Sequence, residues 1–340
     1  MLNLKAIIKP ISYVALAILG VVGLALAAFF ARFPVTVPPR TLDVAMTPAL
    51  EARGAYLAEH VMVCVDCHSG RDPSRYSMPV RADARGMGGM DFGPELKLSG
   101  SLYAPNITPA ALGNWTDAEI LRAITDGVSK DGRALFPLMP YPVFATLCED
   151  DAAALVRYVR NLEPIDNDVP KSSLGFPLNL LVRTMPAPAK LAKSCAEPAS
   201  EVKRGERLVA LASCNGCHSP SEMGKPIEGQ LLSGGLPFHL PTGGLARSAN
   251  LTPDPTTGLG GWTRQMFIDR FKLAGRPADA RRVEAGSANT VMPWTQYSGM
   301  TEEDLGAIYS YLRSIPPVKR HVVRFEASSV NPLMAAGDSH

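Results

Sequence analysis

The longest apolar stretch of the chain lies near its N-terminus, where an almost unbroken run extends from Ile11 to Ala31 and two lysines precede it. A helix rises about 1.5 Å per residue, so this run is long enough to cross a hydrocarbon core of about 30 Å. The pattern predicts a transmembrane anchor over residues 11–33. Residues 1–10 are predicted to be cytoplasmic, because positive charge favours that side of the membrane.

A cleaved signal peptide is the alternative for this segment, since Ala25–Ala27 offers the small residues of a cleavage site. Apolar residues continue beyond that point through Phe29 and Phe30, which favours a retained anchor. Both interpretations export the rest of the chain. We therefore expect a single-pass protein of the bacterial inner membrane, with its body in the periplasm.

Two later segments, 151–162 and 304–315, show the spacing of amphipathic helices, with apolar residues every three to four positions. Acidic residues stand at the start of each, where the helix dipole favours negative charge. A proline follows each segment, Pro164 and Pro316, as expected after the end of a helix.

Each of these helices closes one copy of a longer internal repeat. Five short motifs occur in the same order in both copies: Arg53-Gly54 and Arg204-Gly205, Cys64–His68 and Cys214–His218, Asn106–Pro109 and Asn250–Pro253, Trp115-Thr116 and Trp262-Thr263, Met139–Tyr141 and Met292–Trp294. A shared order of five motifs excludes a chance second occurrence of one. The repeat predicts two tandem domains, at residues 45–165 and 199–320.

A proline-rich linker, residues 166–198, joins the two predicted domains, and residues 321–340 form a C-terminal tail. Within the linker, the apolar patch Leu174–Val182 is long for a solvated segment. Packing on a domain, contact with the membrane and contact with a partner protein are three placements that the sequence leaves open.

Composition adds two points. The chain has 340 residues and a net charge of +2, so nothing indicates a nucleic-acid partner, and its 29 glycines and 30 prolines favour loop-rich lobes. Of its six cysteines, four lie in the repeated motif, leaving Cys148 and Cys195. In an oxidising compartment we expect these two to form a disulfide, the alternative being two unrelated buried thiols.

The repeated Cys-x-x-Cys-His motif is typical of covalent haem attachment. Its two thiols add to the vinyl groups of the porphyrin as thioethers, and the adjacent histidine coordinates the iron. Nearly 150 residues separate the two motifs, where a paired zinc site needs about 15–20, and no strand-like sequence supports a thioredoxin-type redox pair. The sequence predicts two covalently bound haem c groups, with attachment residues Cys64, Cys67, Cys214 and Cys217 and iron ligands His68 and His218.

Each iron needs a sixth ligand, and Met139 and Met292 follow their motif histidines at similar distances, each directly before a proline. A methionine thioether there raises the haem potential and closes the iron to substrate. The alternative is that both methionines only fill gaps in the core. The other candidates have no counterpart in the other repeat: Met78, Met87, Met90, Met223, Met266, Met300, His60, His239, His321 and His340.

Four further repeated residues have two open interpretations. In the first, they line the haem edge or close its loops, with donation to haem propionates; in the second, they serve plain scaffold packing. The four residues are Trp115, Trp262, Asn106 and Asn250.

The ordered motifs resemble class I cytochrome c domains, specifically those in the membrane-bound cytochrome c subunits of bacterial alcohol, gluconate and aldehyde dehydrogenases. The resemblance covers roughly residues 45–320 and includes the linker phrase Leu174–Asn179. It implies an all-α chain with an N-terminal transmembrane helix followed by two tandem class I cytochrome c domains. It also implies the axial pairs His68/Met139 and His218/Met292.

Two departures from that resemblance are visible. Those subunits typically carry three haem motifs and a C-terminal membrane segment, whereas this chain has two motifs and an N-terminal one. The second repeat also has an Arg- and Ala-rich stretch, Gly275–Gly286, where the first has the tighter Gly127–Gly132. We therefore expect a differently shaped loop around Met292.

We expect an electron-transfer protein, not an enzyme, that passes single electrons from a respiratory donor to an acceptor such as a terminal oxidase. Its expected partners are a dehydrogenase, a cytochrome bc1-type complex or that oxidase. The main alternative is an electron-transfer subunit of a membrane-bound dehydrogenase complex. A dihaem peroxidase is a further alternative, and it needs an iron with an open position.

Overall fold

A computed structural model describes residues 4–36, 38–222, 225–275 and 280–327, with side chains from residue 13 onward. Its α-helices are α1 (Leu4–Arg32), α2 (Pro48–Tyr56), α3 (Cys64–Cys67), α4 (Pro109–Leu112), α5 (Asp117–Asp126), α6 (Tyr141–Phe144), α7 (Glu149–Arg160), α8 (Leu178–Leu181), α9 (Glu201–Leu211), α10 (Cys214–His218), α11 (Arg264–Lys272), α12 (Trp294–Tyr297) and α13 (Glu302–Ser314). A π-helical turn, Leu57–Val61, continues α2, and 3₁₀ turns cover Ala82–Ala84 and Val182–Thr184.

Helix α1 begins seven residues before the predicted start of the anchor at residue 11 and ends at Arg32, one residue before its predicted end. Its 20-residue segment Tyr13–Arg32 is apolar enough to cross a membrane, and none of it is buried against the rest of the chain. Among the described residues it is the one helix with that length and composition. At about 1.5 Å per residue this segment is about 30 Å long.

The two predicted amphipathic helices are present as α7 and α13, each starting two residues before its predicted start. The hydroxyl of Thr301 accepts a hydrogen bond from the Asp304 backbone N–H (3.1 Å), which caps α13. Helix α13 ends at Ser314 because Ile315, the residue before Pro316, is extended as prolines require of their predecessors.

Each closing helix packs directly on the opening helix of its own repeat, at a glycine. A Cβ atom added to Gly54 would lie 2.3 Å from the carbonyl oxygen of Ala154, and one added to Gly205 would lie 1.9 Å from that of Ala307. Only glycine allows these backbones to approach so closely. This contact explains why the Arg-Gly pair occurs in both copies of the repeat.

The buried apolar side chains of the two repeats form one continuous cluster. Leu57 and Val61 from the first repeat and Leu305 and Met300 from the second belong to it, and all four are almost fully buried. The two halves therefore share a core, which fixes their relative position by burial of apolar surface.

The all-α prediction is met only in part, because short antiparallel strands occur between the helices. These are β1 (Gly100–Ser101) with β2 (Ser173–Leu174), β3 (Ser221–Glu222) with β4 (Lys225–Pro226), and β5 (Pro237–His239) with β6 (Leu245–Arg247) and β7 (Phe325–Glu326). Long loops carry backbone groups that need partners, and these pairings supply them. Strand β2 brings the linker back onto the first half, and β7 brings part of the predicted tail onto the second.

The expected disulfide between Cys148 and Cys195 is confirmed, with a Cα–Cα distance of 5.1 Å. Cys148 directly precedes α7 and Cys195 lies near the end of the linker, so the bond closes a loop with a sequence separation of 47 residues. The linker is thus held at β2 and again at the start of the closing helix of the first half.

Candidate haem-binding sites

The two Cys-x-x-Cys-His segments have the same local structure. Each forms a short helix, α3 or α10, that starts after a residue in the left-handed region: Val63 with φ 43° and Ser213 with φ 53°. A β-branched residue such as valine is rarely found there, and strain of this kind is concentrated at functional sites. Both turns are therefore held in a costly conformation by their surroundings.

Both motif histidines are oriented by the same hydrogen bond. The Nδ1 atom of His68 lies 2.8 Å from the carbonyl oxygen of Pro105, and that of His218 lies 2.8 Å from the carbonyl oxygen of Ala249. Because a carbonyl oxygen can only accept, Nδ1 carries the proton and Nε2 keeps the lone pair that binds a metal. Burial lowers the pKa of both imidazoles, which keeps them neutral and fit for coordination.

The four motif cysteines divide into two inner and two outer positions. Cys64 and Cys214 pack against the core, whereas Cys67 and Cys217 are exposed. Burial raises the pKa of both inner thiols, Cys64 and Cys214, to about 12. Two thiols and a neutral imidazole on one helical turn fit the donor set that covalent haem c requires.

The predicted methionine ligands also lie in matching turns. The backbone N–H of Tyr141 donates to the carbonyl oxygen of Met139 (2.7 Å), and that of Trp294 donates to Met292 (2.8 Å). In each case the intervening proline caps a short helix, α6 or α12. The shared turn gives both thioethers the same backbone setting; their coordination of iron stays a prediction.

Several competing ligand candidates have other roles. Met78 and Met300 are buried in the core (6% and 1% exposed), and the Nδ1 atom of His60 lies 2.8 Å from the carbonyl oxygen of Gln296. Met223 and His340 lie outside the described residues.

The repeated asparagines close loops. The Asn106 side chain donates to the carbonyl oxygen of Ile165 (2.8 Å) and accepts from the Thr108 backbone N–H (2.9 Å). Asn250 does the same with Val318 and Thr252 at the same distances. Each asparagine ties its loop to the chain that follows the closing helix, which is the loop-closing role expected from the sequence. The two tryptophans, Trp115 and Trp262, pack against the core, as the scaffold interpretation expects.

A serine that the sequence analysis missed connects the first half to the Met292 turn. The hydroxyl of Ser77 donates to the carbonyl oxygen of Met292 (2.6 Å) and accepts from the Trp294 backbone N–H (2.9 Å). The Ser77 backbone N–H donates to Oδ1 of Asn289 (2.9 Å), and the side chain is completely buried. The sequence predicted a differently shaped loop around Met292, but Ser77 lies in none of the repeated motifs.

The two halves also meet through a reciprocal pair of acidic residues. Asp151 and Asp304, at equivalent positions in α7 and α13, each bind the repeated arginine of their own half. Each is also contacted from the other half: Arg207 lies 3.7 Å from Asp151, and the hydroxyl of Tyr56 donates to Asp304. Tyr56 and Arg207 occupy equivalent positions, so the interface has approximate two-fold symmetry.

This arrangement brings the two Cys-x-x-Cys-His turns into electrostatic range of each other. Although Cys217 as a whole is exposed, poor solvation of its thiol raises the pKa of that thiol to about 11, and the negative charge of Asp66, in the other half, adds to the effect. The Asp66 carboxylate is itself buried and pairs with Arg71 at 3.1 Å. Charge at one turn therefore acts on the other across the interface.

Comparison with known proteins identifies part of this architecture. Residues 202–316 match the family model of cytochrome c, so the second half contains a cytochrome c domain. Over 320 residues, the chain is 31% identical to the cytochrome c subunit of the quinone alcohol dehydrogenase of Gluconacetobacter polyoxogenes, covering 87% of this chain and 63% of the relative. It is 30% identical over 280 residues to the fructose dehydrogenase cytochrome subunit of Gluconobacter japonicus (78% and 52% covered).

A third relative is described as a dihaem cytochrome c-type protein of Cereibacter sphaeroides, 26% identical over 267 residues, with 75% of this chain and 83% of the relative covered. The chain spans less than two thirds of the length of the two dehydrogenase subunits. The predicted homology to dehydrogenase cytochrome c subunits is confirmed. A cytochrome c domain and cytochrome subunits as relatives also agree with the prediction of an electron-transfer protein that is not itself an enzyme.

Proposed function

We propose that this chain is the electron-transfer subunit of a membrane-bound dehydrogenase complex and that it carries two haem c groups. The match to the alcohol dehydrogenase subunit carries the proposal: an alignment over 87% of 340 residues cannot omit either Cys-x-x-Cys-His turn. The two turns share their histidine hydrogen bond, their left-handed entry residue and their methionine turn. Of the two roles expected from the sequence, the comparisons favour the subunit over the free carrier.

The proposal assigns equivalent roles in both halves. Thioether attachment is assigned to Cys64, Cys67, Cys214 and Cys217, and iron coordination to His68 with Met139 and to His218 with Met292. Haem c supplies one-electron redox chemistry when bound. The chain orients each imidazole through a backbone carbonyl and places the two attachment turns at one interface, which favours electron transfer from one half to the other.

We further propose that α1 anchors the chain in the inner membrane and that both halves lie in the periplasm. Two features support this: the exposed apolar surface of α1 and the disulfide, which is typical of exported proteins. An anchored position would keep the chain next to a membrane-bound dehydrogenase and its quinone or cytochrome acceptors.

Haem stoichiometry tests the first part of the proposal. Full-length protein purified from detergent-solubilised membranes is expected to give two haems per chain in a pyridine haemochrome assay. Replacing Cys64 and Cys67 by alanine, or Cys214 and Cys217 in a matched variant, is expected to leave one. A wild-type value of one haem per chain would overturn the dihaem assignment.

Reduction by substrate tests the second part. The protein isolated with its native partners is expected to contain a dehydrogenase catalytic subunit, and its haems are expected to be reduced when the substrate of that subunit is added. A stand-alone dihaem carrier is the second candidate, favoured by the Cereibacter sphaeroides relative, of which 83% is covered. Isolation without any dehydrogenase, with reduction only by a quinol-oxidising complex, would favour the carrier.

A further inference from the structure

The linker carries an exposed apolar patch that the sites described above do not use. The segment 174–185 contains α8 and the 3₁₀ turn Val182–Thr184, and it buries Val182 (7% exposed). Three of its large apolar side chains are exposed: Phe176 is 78% exposed, Leu181 52% and Met185 41%. We call these three residues the linker patch. Three large apolar side chains exposed within ten residues are typical of an interaction surface.

The linker patch lies beside the end of α1. The guanidinium group of Arg183, within the same segment, lies 5.0 Å from the ring centroid of Phe30 and donates a hydrogen bond to the carbonyl oxygen of Phe33. Phe30 is in the last turn of α1, and Phe33 follows its final residue. The segment is therefore fixed against the point where the apolar helix ends.

This position determines the depth of the patch relative to a membrane. The apolar segment Tyr13–Arg32 has 20 residues and about the length of a hydrocarbon core, so Phe30 lies at the boundary between acyl chains and headgroups. Side chains held at this level are expected to insert apolar groups into the acyl region, while arginine keeps its charge among the headgroups. The linker patch supplies such apolar side chains, and Arg183 supplies such an arginine.

We propose that the linker patch is a second membrane contact, in which Phe176, Leu181 and Met185 insert into the periplasmic leaflet next to the anchor. The proposal deepens the proposed function, because it rests on the membrane anchoring of α1. Continuity with α1 through Arg183 favours lipid over a protein partner as the occupant. Since β2 and the disulfide hold the linker on the first half, this contact sets the orientation of that half above the membrane.

Spin-label accessibility in the full-length protein tests the proposal. In the haem-loaded, disulfide-bonded protein all six native cysteines are occupied, so an introduced cysteine is the one free thiol. Phe176→Cys carries the label in the linker patch, and Leu273→Cys is the matched control, because Leu273 is 81% exposed and lies in the second half. Leu19→Cys, 66% exposed in α1, reports on the anchor. The labelled proteins are reconstituted in nanodiscs of phosphatidylglycerol and phosphatidylethanolamine.

Collisions with oxygen report on lipid, and collisions with a soluble nickel chelate report on water. In the nanodiscs, we expect the label at residue 176 to be more accessible to oxygen and less accessible to the nickel chelate than the control label at residue 273. The label at residue 19 is expected to behave like the label at residue 176. Equal nickel accessibility at residues 176 and 273, with residue 19 in lipid, would overturn the linker contact alone. Water accessibility at residue 19 would overturn the anchoring as well. Protection of residue 176 only after addition of a dehydrogenase subunit would assign the patch to a protein instead.

Discussion

Ser77 offers the sharpest test of how the two halves depend on each other. The serine is completely buried, and its hydroxyl makes two hydrogen bonds to the backbone of the Met292 turn, at 2.6 Å to Met292 and 2.9 Å from Trp294. Ser77→Ala removes both and leaves the carbonyl oxygen of Met292 and the N–H of Trp294 with only their bond to each other (2.8 Å). Alanine has the same cost as serine at the observed φ of 68°, so the substitution isolates the hydroxyl.

Each lost hydrogen bond costs about 0.5–1.5 kcal/mol, so the loss of both costs about 1–3 kcal/mol. For the Met292 turn this corresponds to an about 5- to 150-fold shift toward the released turn. Released methionine no longer supports a His/Met pair, so the potential of one haem is expected to fall while that of the other is unchanged. Redox titration of the full-length protein resolves the two, and the near-infrared sulfur–iron band is expected to lose up to half of its intensity.

Thr125→Val is the matched control for this substitution. Thr125 is also completely buried in the first half, and its hydroxyl donates to Leu121 within the same half. This variant is expected to lower the melting temperature and leave both potentials unchanged. If Ser77→Ala lowered stability to the same degree without changing either potential, the hydroxyl would have only a structural role and the argument would be refuted.

Three further predictions follow from the fold and the sites. Cys148→Ser opens a loop with a sequence separation of 47 residues and is expected to lower the free energy of unfolding by about 4 kcal/mol in the chain-entropy model, measured by denaturant titration of oxidised protein; an unchanged midpoint would contradict it. Gly205→Ala places a Cβ atom 1.9 Å from a carbonyl oxygen and is expected to cost about 3 kcal/mol or more, whereas Gly261→Ala, which has open space, is expected to cost far less; equal melting temperatures would argue against the close helix contact. Met292→Ala is expected to abolish one sulfur–iron band and lower one potential, and an unchanged spectrum would remove Met292 from the iron.

Local features of this molecule were predictable because local chemistry determines them. Acidic first turns and following prolines located α7 and α13 to within two residues at their starts. The oxidising compartment and the count of cysteines predicted the bond between Cys148 and Cys195. The repeat itself required only comparison of the two halves of the sequence.

The interface between the halves was not predictable from these patterns. Tyr56 and Arg207 occupy equivalent positions and contact equivalent aspartates, but a phenol and a guanidinium do not look alike in sequence. Ser77 has no marked motif, and its role depends on the distant Met292 turn, more than 200 residues away. Such contacts depend on how the folded surfaces of the two halves pack against each other. The short strands escaped prediction for the same reason, since each pairs segments that have no periodicity of their own.

The reciprocal contacts of Asp151 and Asp304 show how the two halves are related. An interface in which equivalent residues contact each other across a two-fold axis is that of a symmetric homodimer. The two halves of this chain are therefore arranged like the two subunits of such a dimer. The linker raises the local concentration of one half near the other but does not specify their arrangement. Because the two halves have different sequences, a contact such as that of Ser77 with the Met292 turn can form from one half alone, whereas a true homodimer would have to form it twice.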